Sequence, residues 1–230
     1  MRKSNTDLGI LYEDNHLIVL NKAPSDIVQG DKTGDEPLSE KLKKYLKIKY
    51  HKPGEVFLGV VHRLDRPVSG ALIFARTSKA LSRLNEMLKQ GEIHKTYWAI
   101  VKHRPPGSQG HLTGYLSRDP EKNKSFIRKE PFPGAKKAEL KYILSGSSND
   151  YYLLEIELLT GRHHQIRAQL ADLGCPVKGD LKYGYPRSNP DGSIHLHSRS
   201  LEFLHPVKKE IIKIIAPPPP DVLWDYFSSL

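Results

Sequence analysis

Three short segments of this 230-residue chain gather side chains that can move a proton, attack a carbon or hold an anion. The first is His62-Arg63-Leu64-Asp65-Arg66. A carboxylate set between two guanidinium groups is favoured in its charged form. So charged, Asp65 can serve as nucleophile, general base or metal ligand. The plain alternative is a surface loop with a local ion pair.

The second segment is Thr160-Gly161-Arg162-His163-His164-Gln165-Ile166-Arg167. Gly161 allows a tight lead-in to a helix, which places Arg162, His163 and His164 near its N-terminus. Unpaired N–H groups there attract anions, and two arginines with two histidines suit a phosphate or a carboxylate. Zinc on a helix needs histidines at i and i+4, whereas adjacent ones point apart, so no metal is expected. A solvated helix start is the alternative. The third segment is Lys95-Thr96-Tyr97-Trp98-Ala99. On a strand Tyr97 and Trp98 face opposite sides. One then packs inside, and the other, in a basic cleft, could stack on an unstacked base. Both could equally be core residues.

These segments need elements to hold them. Short apolar runs at Ile10 to Tyr12 and Leu17 to Leu20 predict two strands around a turn. Residues 29–35 read as a loop. Ser39 to Tyr50 is predicted helical, with Leu42, Tyr45 and Leu46 on one face. Strands at Phe57 to Val61 and Ala71 to Phe74 flank the Asp65 segment, and Pro67 and Gly70 mark that segment as a turn. Ser78 caps a helix to about Lys89 with the stripe Leu81, Leu84 and Leu88, and Gly91 stops it. A strand is expected at Thr96 to Val101. Residues 103–137 are basic and read as an irregular or hairpin insertion. Lys137 to Leu144 and Tyr151 to Leu159 form a hairpin. A helix runs from about His163 to Leu173, stopped by Gly174. Strands follow at His195 to Phe203 and Ile211 to Ala216, and residues 216–230 make a Pro-linked amphipathic tail. The sum is an α+β arrangement, a mostly antiparallel sheet with helices packed on it, in one domain over residues 1–230.

The formal net charge of +10 points to a polyanion partner. No apolar run reaches the roughly 18 residues of a spanning helix, and Met1 to Asp7 has no secretory-signal core, so no membrane is expected. The single cysteine, Cys175, cannot form an internal disulfide, and a reducing cytoplasm is expected. Cys175 reads as a small packing residue. Rossmann and Walker loops are absent, as is a serine elbow, so no NAD, ATP or flavin is expected. No segment demands an oligomer, and a monomer is the default.

Four blocks in order resemble the RluA family of pseudouridine synthases: Tyr12 to Lys22; His62-Arg63-Leu64-Asp65 with Ser69-Gly70; Lys95-Thr96-Tyr97; and Gly161 to Arg167, continuing to Leu173-Gly174, Gly179-Asp180 and Tyr183-Gly184. Leu196-His197, Leu201, Phe203, His205 and Pro206 echo it further. Val68 and His163 stand where the family usually has Thr, and Lys22-Ala23-Pro24 departs from its Lys-Pro-Ala-Gly. The resemblance implies a bent, mostly antiparallel sheet with a central cleft, and no room for the S4 RNA-binding domain that many relatives carry. It implies RNA as partner, ribosomal or transfer, and a cofactor-free isomerisation of a flipped-out uridine. Asp65 is the implied catalytic carboxylate, Tyr97 packs against the uracil, and Arg167 is the ion-pair partner of Asp65, with Arg162 its rival. Arg63 is the implied filler of the vacated stack. His62, Leu64, Arg66, His164 and Gln165 are the remaining implied substrate-binding positions. The alternatives are a non-catalytic RNA-binding protein on the same scaffold and a base-flipping glycosidic hydrolase.

Overall fold

The structure, a computed structural model, describes residues 8–30 and 34–230. The expected chain start and the middle of the loop at 29–35 lie outside the described residues. In chain order the elements are β1 (Ile10–Glu13), β2 (Leu17–Lys22), α1 (Leu38–Lys49), β3 (Gly59–Val60), β4 (Ser69–Ala75), α2 (Ser78–Gln90), β5 (His94–Val101), β6 (Gln109–Asp119), β7 (Lys124–Arg128), β8 (Lys136–Ser147), β9 (Tyr152–Leu158), α3 (Gln165–Asp172), a 3₁₀ turn (Leu181–Tyr183), β10 (Leu196–Leu204), β11 (Ile211–Ile215) and α4 (Val222–Ser228). They form two compact units, one ending at Ile93 and completed by Ser200–Pro217, the other comprising His94–Arg199 and Pro218–Leu230.

In the first unit β2 pairs antiparallel with both β1 and β4, and β3 lies on β4. Leu17 to Leu20 and all of β4 are buried, which suits strands covered on both faces. Asp14 makes the β1–β2 turn by accepting from the N–H groups of His16 and Leu17. The cap of α2 is Thr77, one residue before the expected Ser78: its hydroxyl accepts from Ala80 N–H at 3.2 Å. Gly91 ends that helix in the left-handed region, φ 77°. The buried stripe is Ala80, Leu84 and Met87, with Leu81 and Leu88 at its margin, so the expected stripe is rotated slightly. In α1 Leu38, Leu42 and Leu46 face inward, while Tyr45 turns its hydroxyl to Glu13. The strand expected from Phe57 shrinks to Gly59–Val60, and Phe57 stays exposed.

The second unit is an antiparallel sheet in the order β5-β9-β8-β6-β7. The expected β8–β9 hairpin is present. Of the two readings of residues 103–137, the hairpin holds and the irregular insertion does not, because β6 is an eleven-residue strand paired on both sides. Glycine obscures it in sequence. A Cβ on Gly110 would lie 2.5 Å from the Tyr142 ring, and one on Gly114 would lie 2.8 Å from Ile127. Both positions carry no side chain because neighbouring strands fill the space. On the sheet's other side α4 lays Trp224 and Phe227 on Ile100 and Leu153. Strands, turns and four helices together make the α+β fold that the sequence predicts.

Candidate active site

The Asp65 segment is a turn between β3 and β4. Its apolar residues anchor it, since Leu64 and Val68 are buried. Val68 N–H donates to the Asp65 carbonyl at 3.0 Å, which closes the turn. His62 accepts at Nε2 from the N–H of Ile73 on β4, at 3.2 Å, so its ring is committed to that strand. Arg63 and Arg66 are exposed, Asp65 is partly exposed, and Arg66 meets Asp35.

Beneath the turn lies a residue to which the sequence reading gave no role. Lys22, the last residue of β2, is 1% exposed. Its ammonium donates to the carbonyls of Ala23 (2.9 Å), Arg66 (3.1 Å) and Val68 (2.7 Å). Three acceptors match its three protons. Burial pushes its pKa down to about 8, Asp26 and Asp65 pull it back part of the way, and Arg66 adds to the depression. The available signal was a lysine closing a strand that opens with four buried apolar residues, a place where a charge needs buried partners.

The second unit positions the other two segments. Tyr97, on β5 opposite Ile156, is buried. Trp98 points to the other face, donates from Nε1 to Glu155 at 3.2 Å and lies 4.3 Å under the Arg199 guanidinium. Strand alternation thus sends the two aromatics to opposite faces, and half-buried Trp98 packs against the cluster of Ile100, Leu153, Trp224 and Phe227.

The helix expected from His163 starts at Gln165. His164 precedes it with φ 54°, so the left-handed residue is His164 and not Gly161. Arg162 and His163 therefore lie before the helix. The side chain of Gln165 folds back over this lead-in. Its Oε1 accepts from the Thr160 hydroxyl (2.7 Å) and Arg162 N–H (3.0 Å), and its Nε2 donates to the Glu139 carbonyl (3.0 Å). That amide is occupied in holding the chain, and it takes up an N–H that was expected to face an anion.

His164 stacks on His163 at 3.8 Å and pairs through Nδ1 with the Tyr183 hydroxyl at 3.0 Å. His163 Nδ1 lies 2.8 Å from the Ser125 hydroxyl on β7. Arg167 is buried and donates from Nε and Nη2 to the two oxygens of Asp180, at 2.7 and 2.9 Å. The Tyr183 ring lies 5.1 Å from that guanidinium. Arg162, by contrast, is exposed, with Nε on the Lys137 carbonyl. Asp180 was visible in sequence only as part of a matching block. It lies 13 residues beyond Arg167, and a fold is needed to pair them.

Cys175 is 2% exposed and burial raises its thiol pKa, which suits packing rather than attack. Among the described residues no group of His, Cys, Asp and Glu could hold a metal ion, and no helix is long and apolar enough to cross a membrane.

Residues 16–172 match the model of the RNA pseudouridylate synthase family. The chain is 33% identical over 219 residues to the RNA pseudouridine synthase YhcT of Bacillus subtilis, covering 94% of this chain and 70% of that protein. It is 34% identical to the ribosomal large subunit pseudouridine synthase D of Xylella fastidiosa, covering 94% and 67%. Among solved structures, human RNA pseudouridylate synthase domain containing 4 superposes with a TM-score of 0.78 at 23% identity, over 98% of this chain and 94% of that one, which supports the fold. With relatives a third identical along almost its whole length, the chain belongs to the RluA-type family of RNA pseudouridine synthases, enzymes that isomerise uridine in RNA.

Proposed function

We propose that Asp65 is the carboxylate that carries this isomerisation, in one catalytic domain formed by the whole chain. The observation that carries the assignment is the Lys22 clamp. It fixes the main chain at Arg66 and Val68, directly after a partly exposed Asp65. A carboxylate on a fastened turn is pre-positioned for attack or proton removal. In the reaction the bond between ribose C1′ and uracil N1 breaks and the base rotates. C1′ then bonds to C5, the C5 proton leaves, and N1 gains one. Oxidation state and energy supply do not change, so no cofactor is called for.

Tyr97 packs against the uracil in this reading, and Arg167 is the cation that partners the reacting carboxylate. Its pairing with Asp180 and Tyr183 favours it over the exposed Arg162 for that role. A uridine must leave its stack to react, at a cost of roughly a few kcal/mol. Exposed Arg63 suits the vacated place, because a guanidinium plane can stack and also bind phosphate. His62, Leu64, Arg66, His164 and Gln165 shape the site by holding the turn and the helix lead-in. The cations of 103–137 contact the RNA backbone. Large-subunit ribosomal RNA is the favoured substrate, on the strength of relatives named for it, with transfer RNA as the alternative. The protein works as a cytoplasmic monomer in this reading.

The test is Asp65→Asn with ribosomal RNA tritiated at uridine C5. Tritium release by the parent without base loss, and none by the variant at equal folded fraction, is expected. Release at the parental rate by the variant would overturn the assignment. Base loss in place of isomerisation would mark a hydrolase.

A further inference from the structure

The five residues of β7, the edge strand of the second unit's sheet, divide between two faces. Ser125 and Ile127 turn inward, Ser125 to His163 and Ile127 to the cluster of Leu116, Ala138, Ala168 and Tyr183. Lys124, Phe126 and Arg128 share the opposite face, because alternate residues of a strand point the same way. Phe126 is 44% exposed, and its cross-strand neighbour on β6 is the small Ser117. A single exposed apolar side chain is ordinary. This one is a flat ring with a cation two residues away on each side.

A polyanion with unstacked bases complements that arrangement, since any nucleobase can stack on an aromatic ring while neighbouring cations meet phosphates. We propose that the outward face of β7 is an RNA-binding strip. Phe126 stacks on an unpaired nucleobase, and Lys124 and Arg128 engage phosphates on either side of it. The proposal deepens the reading that the cations of 103–137 contact RNA, and it rests on that reading. The Lys124 ammonium lies 5.0 Å from the Tyr183 ring and the Arg128 guanidinium 4.8 Å from the Phe132 ring, so both cations rest on aromatic rings beside the strip.

Filter binding across a salt series tests this, with oligouridylate and ribosomal RNA as probes and a blunt RNA duplex as control. Phe126→Ala should weaken binding to the two probes roughly tenfold, as loss of one base stack does. Its salt slope and its affinity for the duplex should match the parent's. Phe126→Trp should bind at least as tightly as the parent. The double variant Lys124→Ala with Arg128→Ala should lower the log–log salt slope by about 1.4, at roughly 0.7 per single-strand phosphate. Parental binding by Phe126→Ala, alongside a weakened double variant, would overturn the stacking and leave the cation reading in place. Parental binding by both would overturn both. Equal loss on duplex and single strand would overturn recognition of an unpaired base.

Discussion

The Asp65 turn and the lead-in to α3 are fastened in different ways. The turn hangs on one buried ammonium that grips three carbonyls. Carbonyls are common to every residue, so the side chains above Lys22 can vary while the turn keeps its shape. The α3 lead-in is held by side chains gripping side chains and main chain: Gln165 on Thr160, Tyr183 on His164, Asp180 on Arg167. There each identity counts. A single residue controls the first device, and several share the second.

Removing the charge partner of Arg167 should have the largest effect. Asp180→Asn takes away the carboxylate that accepts from both Nε and Nη2 of buried Arg167, and losses of roughly 3–5 kcal/mol follow from breaking such a pair. Urea unfolding reads the stability and tritium release reads kcat, which should fall even in the folded fraction. Parental kcat would break the link between Asp180 and the site.

Lys22→Met comes next, with a loss of roughly 3 kcal/mol at pH 7 from leaving buried carbonyls without donors. Its pH dependence sharpens the comparison. The folded pKa of about 8 lies below the ordinary 10.5, so between those values the unfolded chain holds the proton that the folded chain releases. Stability from this group therefore rises with pH across that window, by about 3 kcal/mol if the full shift is realised. The gap in stability between parent and Lys22→Met should widen from pH 8 to 10.5. A constant gap would show that the ammonium is not buried as described.

Gln165→Leu removes three hydrogen bonds from the lead-in and should cost about 2 kcal/mol, with KM rising more than kcat falls. An equal fall in kcat alone would move Gln165 from holding the chain to acting in the reaction.

The smallest effect is acid sensitivity, which each unit carries in a matching pair. His205 donates to Asp14 in one unit, and His195 donates to Asp221 in the other, both at 2.9 Å. Burial lowers the pKa of both histidines, while each aspartate pulls it back upward. A lowered histidine pKa means that the unfolded chain takes up the proton first. Stability should then decline as pH falls below the unfolded value of about 6.5. His195→Gln should flatten that decline by its own share in a pH-resolved melt, and His205→Gln should do the same. An unaltered slope in both variants would mean that other groups govern it.

What could be read from the sequence follows from how local each feature is. Leu17 to Leu20 and Ala71 to Phe74 announce buried strands by unbroken apolar runs, and Asp65 is located because the strands expected at Phe57 to Val61 and Ala71 to Phe74 bracket its turn. The tight lead-in to α3 was assigned to Gly161, yet His164 takes the left-handed conformation and the helix starts at Gln165 and not at His163. Lys22 and Asp180 stood in the matching blocks without a role because their partners are 44 to 46 residues away in one case and 13 in the other. Strand β6 was unreadable for another reason: its inward positions include glycines whose space is filled from adjacent strands.

Those two glycines also act as a keyway. Gly110 lies opposite Tyr142 and Gly114 opposite Ala138, with Leu112 between them opposite Leu140. Sliding β6 by two residues in either direction would drive the Leu112 side chain against Tyr142 or lift it off its seat. The strand has one register in which its gaps meet their fillers. Since β7 is carried on β6, the ring of Phe126 is held at one fixed distance along the sheet, as a notch fixes the reach of a key.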